Sequence, residues 1–240
     1  MIAVILAAGL GTRLEEKTKL KPKGFLEIAG ISLIQRSVAI LLSKGIQKIL
    51  IGTGYHSEVY EQFALNYPQI QCIKSDLFET TSSMYTLYNM RSEIENDFLL
   101  LESDLLYEDS AIDYLLQDPN EDVILASDAT NSGDEVFIET KNGIVKAMSK
   151  KRTDLQSIDA ELVGISKVSY SLFEYMNQYF EQNMDRIPKL DYEYAIVEGS
   201  NKTRPVSVNK VDGLLWCEID DKIHLARAMH EIWPKIIKKK

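Results

Sequence analysis

Met1-Ile-Ala-Val-Ile-Leu-Ala-Ala-Gly9-Leu-Gly11-Thr12-Arg13 opens the chain, and Lys21-Pro22-Lys23-Gly24 follows shortly after it. Residues 2–6 form an apolar run of the right length for a strand buried on both faces. Leu6 closes that run, and Ala7, Ala8, Gly9 and Gly11 after it carry little or no side chain. A ligand can approach such a backbone closely, and its N–H groups can cradle phosphate oxygens. Arg13, Lys17, Lys19, Lys21 and Lys23 set five cations within eleven residues of a chain whose net charge is −9. A local reversal of sign of this kind marks a site for a polyanion. The stretch is not the dinucleotide fingerprint, since no third glycine follows at the required offset, and G-x-x-x-x-G-K-[ST] is absent. The plain alternative is a tight turn followed by a solvated basic loop.

Outward from that turn, strands and helices alternate. Residues 31–43 repeat apolar side chains at helical spacing up to Gly45. Residues 46–51 read as a strand, 57–65 as a helix, 70–73 as a short strand, 82–90 as a helix, and 98–101 and 123–126 as buried strands. Such a series predicts a Rossmann-like α/β fold, a mostly parallel sheet with helices on both faces. Ligands of these sheets sit beyond the carboxyl ends of the strands. In the second half, 135–139 and 144–148 flank Lys141-Asn142-Gly143, a hairpin signal. Residues 161–168 read as a strand, 171–183 and 191–198 as helices, and 221 to about 231 as a last helix before Pro234, with the lysine-rich tail frayed. One domain over 1–240 with a small antiparallel insert covering the site is the expectation.

Four carboxylate segments and two polar turns carry chemistry. Leu99-Leu-Leu-Glu102-Ser103-Asp104 ends a strand in acids, and Cys217-Glu218-Ile219-Asp220-Asp221 sets more just before the last helix. Mg²⁺ is held by one or two carboxylates plus phosphate oxygens, so the two segments together suit it, although an acidic turn or a helix cap would read the same. Thr80-Thr81-Ser82-Ser83 precedes a helix, where hydroxyls and amides can read the edge of a base. Gly52-Thr53-Gly54-Tyr55 lies at the same sheet edge and makes Thr53 and Tyr55 candidates. Asp134 with Glu135, and Asp191-Tyr192-Glu193-Tyr194, could meet a cationic group, or simply be exposed polar residues. His56, His224 and His230 do not cluster with a serine or cysteine, and the latter two read as surface or packing residues on the last helix.

The pattern L-A-A-G-x-G-T-R-L with P-K beyond it resembles the signature of nucleotidyltransferases. The resemblance implies the fold of the nucleotide-diphospho-sugar transferases. It also implies that the turn Leu6, Ala7, Ala8, Gly9, Gly11 and Thr12 wraps a nucleoside triphosphate whose phosphates Arg13 and Lys23 hold. Mg²⁺ would then sit on Asp104 and Asp220, with Asp221 the neighbour easily confused with the second. The family often has proline three residues after the arginine; here Glu16 stands there. Thr81-Ser-Ser-Met-Tyr-Thr-Leu-Tyr resembles an element of the choline-phosphate and aminoethylphosphonate cytidylyltransferases. It implies CTP, read by Thr80, Ser82 and Ser83, and a second substrate that is a small phosphate or phosphonate ending in an amine, oriented by Asp134, Tyr192 and Glu193. Acids outnumber stacked tryptophans in those segments, which favours a primary amine, and so 2-aminoethylphosphonate over phosphocholine. A sugar-1-phosphate enzyme and a non-catalytic nucleotide-binding regulator are the other readings.

Composition narrows the classes. The acidic balance argues against a broad nucleic-acid face, and no apolar run approaches a membrane span. No leader is legible, and Cys72 and Cys217 lack metal spacing, as buried thiols of a reducing cytoplasm would. Association of copies is open.

Overall fold

The computed structural model describes residues 1–17 and 21–239, the side chains of residues 15–17 excepted. Lys19, and the side chains of Glu16 and Lys17, therefore lie outside the described residues. In chain order the elements begin with β1 (Ile2–Ala7), β2 (Glu27–Ile28), β3 (Ile31–Ser32), α1 (Leu33–Ser43), β4 (Ile49–Thr53), α2 (Ser57–Ala64), β5 (Ile70–Lys74) and α3 (Ser83–Asn89). They continue with β6 (Phe98–Glu102), β7 (Leu105–Tyr107), α4 (Ser110–Gln117), β8 (Val123–Ser127), β9 (Phe137–Lys141), β10 (Ile144–Ser149) and β11 (Ala160–Val168). The chain closes with α5 (Tyr170–Asn183), α6 (Tyr192–Lys202), β12 (Ser207–Val211), β13 (Trp216–Glu218), α7 (Lys222–Arg227) and α8 (Trp233–Lys239).

Nine strands form one sheet in the order β5-β4-β1-β6-β11-β8-β12-β10-β9. β5, β4, β1 and β6 run parallel, and β12 runs parallel to β8. β11 lies antiparallel between β6 and β8. The architecture is thus α/β, mostly parallel, as the alternation predicts. The hairpin turning at Asn142 and Gly143 does form, as part of this same sheet: β10 pairs with β12, and β9 pairs back onto β11 at Phe137 and Ile138. Two short antiparallel ribbons, β2–β3 and β7–β13, complete the set.

Period-two alternation decides which side chain meets which helix layer. Val4 and Leu6 of β1 join the core with Met84, Leu172, Phe173 and Ile196, under α3, α5 and α6. Ala3, Ile5 and Ala7 face the other way, onto Ile34, Val38 and Tyr60 of α1 and α2 and Ile112 of α4. A third cluster packs Leu14, Leu106 and Ile219 against Leu225, Ile232 and Ile236 of the C-terminal helices. Among the described residues no helix is long and apolar enough to cross a membrane.

Two sequence expectations change. The 31–43 segment starts its helix only at Leu33, because Ile31 and Ser32 pair with Glu27 and Ile28. Ser32 then caps α1, its Oγ accepting from the Gln35 N–H at 3.2 Å, a contact of the kind that contributes about 1 kcal/mol. The last helix does not stop before Pro234. A π-helical stretch, Ala228–Ile232, widens the helix just upstream, and Pro234 falls in the first turn of α8, where its missing N–H costs little. The lysine-rich tail is accordingly helical through Lys239, with Ile236 buried and Lys239 Nζ 2.9 Å from Glu108 Oε1.

β11 bends where its register against β8 shifts between Leu162 and Ser166. Gly164 sits in that irregularity with φ +81°, and a Cβ there would lie 3.0 Å from Glu102 Oε2. The glycine therefore makes room for a buried carboxylate at the end of the neighbouring strand.

Candidate active site

Register brings the chemistry to one edge of the sheet. Leu6 lies between Gly52 and Glu102, so β4, β1 and β6 end side by side. The β7–β13 ribbon pairs Glu218 with Leu105, and the Ile219 N–H donates to the Asp104 carbonyl at 3.0 Å. That ribbon carries Asp220, distant in sequence, to the end of β6. Asp221 turns away and caps α7, Oδ1 accepting from the Ile223 and His224 amides at 2.8 Å. Asp220 is thus the carboxylate that faces the site.

Lys23 Nζ bonds Asp104 Oδ2 at 3.1 Å and also Asp220 Oδ1. Arg13 bonds Asp134 through Nη1 and Asp220 Oδ2 through Nη2, the latter at 2.8 Å. Burial alone would lower the Lys23 pKa, but Asp104 and Asp220 outweigh it and raise it. Arg13 is raised in the same way, by Asp220 and Asp134 against burial. Burial pushes Asp220 up, and Lys23 and Arg13 more than reverse that, leaving it below its usual value.

An open cleft of about 400 Å³ runs along this edge. Leu6, Ala7, Ala8, Gly9, Lys23, Ser82, Ser83 and Asp104 line it, all from the sequence-stated set, together with Phe78, Thr81, Glu102 and Lys189. Gly54 builds one wall: a Cβ there would stand 2.7 Å from Phe78 and 2.8 Å from the Ala8 carbonyl. Only a residue without a side chain lets the Phe78 loop lie against the phosphate-type turn.

Other expected residues stand elsewhere. Gly11, with φ +63°, and exposed Thr12 lead into the 3₁₀ turn Thr12–Lys17 that carries Arg13. Thr53 is fully buried inside β4, so no ligand reaches it. Tyr55 lies against His56, the rings tilted by 55° with centroids 4.1 Å apart, and is not part of the cleft lining. Thr80 Oγ1 donates to the Leu77 carbonyl at 3.3 Å, and Thr81 takes the lining position. Ser82 and Ser83 bond Asp191, and the Tyr192 N–H donates to Ser83 Oγ at 2.9 Å. The base-side segment and the Asp191–Glu193 segment are therefore one joint between α3 and α6.

Tyr192 is buried, and its hydroxyl donates to Glu102 Oε1 at 2.8 Å. It acts on Glu102, which the sequence placed among the acids ending a strand without giving it a role of its own. Glu193 is also buried. Asp134 gives its carboxylate to Arg13. His224, expected at the surface or in packing, is buried and hydrogen-bonded on both ring nitrogens. Its only sequence signal was its place four residues after Asp220.

Glu102, Asp104 and Glu218 each bring one carboxylate oxygen within 4.8 Å of the other two. Burial first, then Asp104 and Glu193, pushes Glu102 up to about 8. Burial with Glu102, Asp104 and Asp220 raises Glu218 well above its usual value, and burial with Asp191 takes Glu193 to about 7. Lys150 is raised by Glu193, Glu218, Asp191 and Glu102 against the effect of burial, which makes it a cation of this group that the sequence reading missed. Hard oxygen donors with a surplus of negative charge suit a Mg²⁺ ion, and Asp104 and Asp220 already share one cationic group between them.

Comparison with known proteins places these features in context. The family model of the MobA-like NTP transferase domain matches residues 3–163. The chain is 24% identical to the CTP:phosphoglutamine cytidylyltransferase of Campylobacter jejuni, over 92% of this chain and 96% of that one. It is 26% identical to the choline-phosphate cytidylyltransferase of Streptococcus pneumoniae, over 84% and 91%. With the CMP-5′-(3-aminopropyl)phosphonate synthase of Streptomyces rubellomurinus it shares 24% identity over 91% of this chain and 37% of that longer one. In fold it is similar to the inositol-1-phosphate CTP transferase from T. maritima, with TM-score 0.82, 17% identity, and coverage of 98% of this chain and 95% of that one. The CTP:phosphocholine cytidylyltransferase of Streptococcus pneumoniae gives TM-score 0.75 at 20% identity, over 95% and 97%.

Proposed function

The chain belongs to the MobA-like NTP transferase domain family, and on that footing we propose that it is a Mg²⁺-dependent cytidylyltransferase joining CTP to 2-aminoethylphosphonate. The products are CMP-2-aminoethylphosphonate and pyrophosphate. The observation that carries the amine is the group of buried Glu193 with half-buried Glu102 and Glu218, three acids all raised by desolvation, Glu102 further by Glu193 and Glu218 further by Glu102. A primary ammonium donates three hydrogen bonds and adds a second positive charge beside Lys150 to a group in which acids outnumber cations. A quaternary head would instead favour an aromatic cage. Two rings of this region already have partners: the Tyr192 hydroxyl donates to Glu102, and Trp216 Nε1 donates to Ser127 Oγ at 2.8 Å. Cytosine is supported by the cytidylyltransferases among the similar proteins.

In the reaction a phosphonate oxygen attacks the α-phosphorus of CTP, and the bond to the pyrophosphate oxygen breaks. Ala7, Ala8 and Gly9 offer backbone along the triphosphate, and the Phe78–Ser83 wall receives the base. Lys23 and Arg13 offset the charge that grows on the α-phosphate and on the departing pyrophosphate. Asp104 and Asp220 would hold Mg²⁺, which would supply further charge neutralisation at the same phosphates. Positioning and charge are what such a transfer needs; no nucleophilic side chain takes part.

Pyrophosphate release with CTP and Mg²⁺ tests this, run with 2-aminoethylphosphonate, phosphocholine and glucose-1-phosphate in parallel. Turnover with the phosphonate alone is expected. Preference for phosphocholine would overturn the amine assignment, and silence with all three would favour a nucleotide-binding regulator. Lys23→Ala should lower kcat by about 10²–10³ while the protein keeps its fold; near-normal turnover would take Lys23 out of the chemistry.

A further inference from the structure

Two loops from opposite ends of the second half meet over the site through one imidazole. The backbone N–H of Asp220 donates to His224 Nδ1 at 3.4 Å. Since Nδ1 accepts, the ring proton is on Nε2, and Nε2 donates to the Ser132 carbonyl at 3.2 Å. Two residues beyond Ser132 is Asp134, which bonds Arg13 Nη1, while Arg13 Nη2 bonds Asp220 Oδ2 at 2.8 Å. The contacts close a ring: Asp220, His224, the Ser132–Asp134 loop, Arg13, and Asp220 again. His224 is 5% exposed, and its own N–H donates to Asp221 Oδ1 at 2.8 Å, which fixes it to the start of α7.

We propose that His224 is a positioning residue that holds the Asp220 backbone and the Ser132–Asp134 loop in register, so that Asp220 presents its carboxylate to the metal and Arg13 to the phosphates. This rests on the reading of the site as a metal-dependent nucleotidyltransferase. The side chain touches neither reactant; it acts through Asp220. A histidine filling space between α7 and the loop would need neither to accept from the Asp220 amide nor to donate to the Ser132 carbonyl. Here both ring nitrogens are spent, one on each segment, and each in the only protonation pattern that serves both. Partners that orient a metal ligand in this way are worth about 10–100-fold in metal affinity or activity when removed.

The two hydrogen bonds can be separated by substitution. His224→Asn places an amide oxygen close to where Nδ1 stands, able to accept from Asp220, but too short to reach Ser132. His224→Gln extends towards Ser132 and offers nothing to the Asp220 N–H. His224→Ala removes both. For each variant and the wild type, we would measure Tm, CTP affinity by calorimetry, and Mn²⁺ affinity in the presence of CTP by electron paramagnetic resonance. Turnover would be measured alongside. The expected result is Mn²⁺ affinity about tenfold weaker in His224→Ala, largely restored in His224→Asn, and still weak in His224→Gln. CTP affinity should change less than Mn²⁺ affinity in all three. Wild-type Mn²⁺ affinity in a folded His224→Ala protein would overturn the proposal. So would losses that follow Tm equally in all three variants, the mark of packing alone. If the wild type itself binds neither CTP nor Mn²⁺ with CTP, the nucleotidyltransferase reading fails first and the proposal falls with it.

Discussion

Gly164 shows how a single residue sets the chemistry of another. Its φ of +81° suits no ordinary side chain, and a Cβ there would press on Glu102 at 3.0 Å. Glu102 is fixed on its other side by the Tyr192 hydroxyl. Gly164→Ala should therefore destabilise the protein by about 1–2 kcal/mol, read as a lowered denaturation midpoint. It should also shift the titration of Glu102, which carbon-detected NMR of labelled glutamate would follow. A variant as stable as the wild type would show that the bulge relaxes to accept a methyl. At this scale the sequence was informative where charge and smallness coincide, as at Gly9, Arg13 and Lys23. It placed Glu102 only as one acid of a strand end and His224 only as a surface or packing residue, because their roles come from neighbours far away in the chain.

Elements meet at a few buried polar joints, and the one at Asp122 is the most tightly tied. Asp122 precedes β8 and its carboxylate is almost fully buried. It accepts from the Ser169 N–H at 2.7 Å, from Ser169 Oγ at 3.0 Å and from Arg204 Nε at 3.2 Å. Ser169 in turn caps α5 through its bond to the Leu172 amide at 3.2 Å. Asp122→Ala strands the buried Ser169 N–H, while Arg204 keeps Glu121 and Ser169 Oγ keeps Ser171, and should cost about 2 kcal/mol, a fall in Tm of about 4–8 °C by calorimetry. A loss under 1 kcal/mol would mean water replaces the carboxylate there. Strands with continuous apolar runs, such as 2–6 and 98–101, and helices with clear periodicity were legible from residue order alone. Short ribbon strands were not: β2, β3, β7 and β13 are two or three residues long, too short for any period to register. Their existence depends on partners across the sheet, and one of them delivers Asp220. The direction of β11 was hidden for the same reason, since nothing in an apolar run says which neighbour it joins.

Over the whole molecule the raised acids make stability depend on pH. Unfolded, Glu102 and Glu193 would titrate near about 4.3; folded, they titrate near about 8 and about 7. The folded state binds the extra protons across that interval, so the stability they contribute is complete below about pH 4.3 and is lost as the pH rises towards 8. Asp220 has the opposite sign, but it acts only in acid, below its usual value. Tm should fall between pH 5 and pH 8.5, and Glu102→Gln should flatten the upper part of that fall. A Tm that rises over the interval would refute the assignment. The reversed strand has a further consequence, for synthesis. When residue 127 has left the ribosome, β5, β4, β1 and β6 can already pair, but the strand that must join β6 to β8 has not been made. Phe98–Glu102 waits as a bare, apolar border of a half-built sheet, the kind of border that recruits other chains. Completion depends on residues 160–168 arriving to seal it. Translation pauses between 127 and 168 should therefore promote aggregation of this protein, whereas pauses after 168 should not.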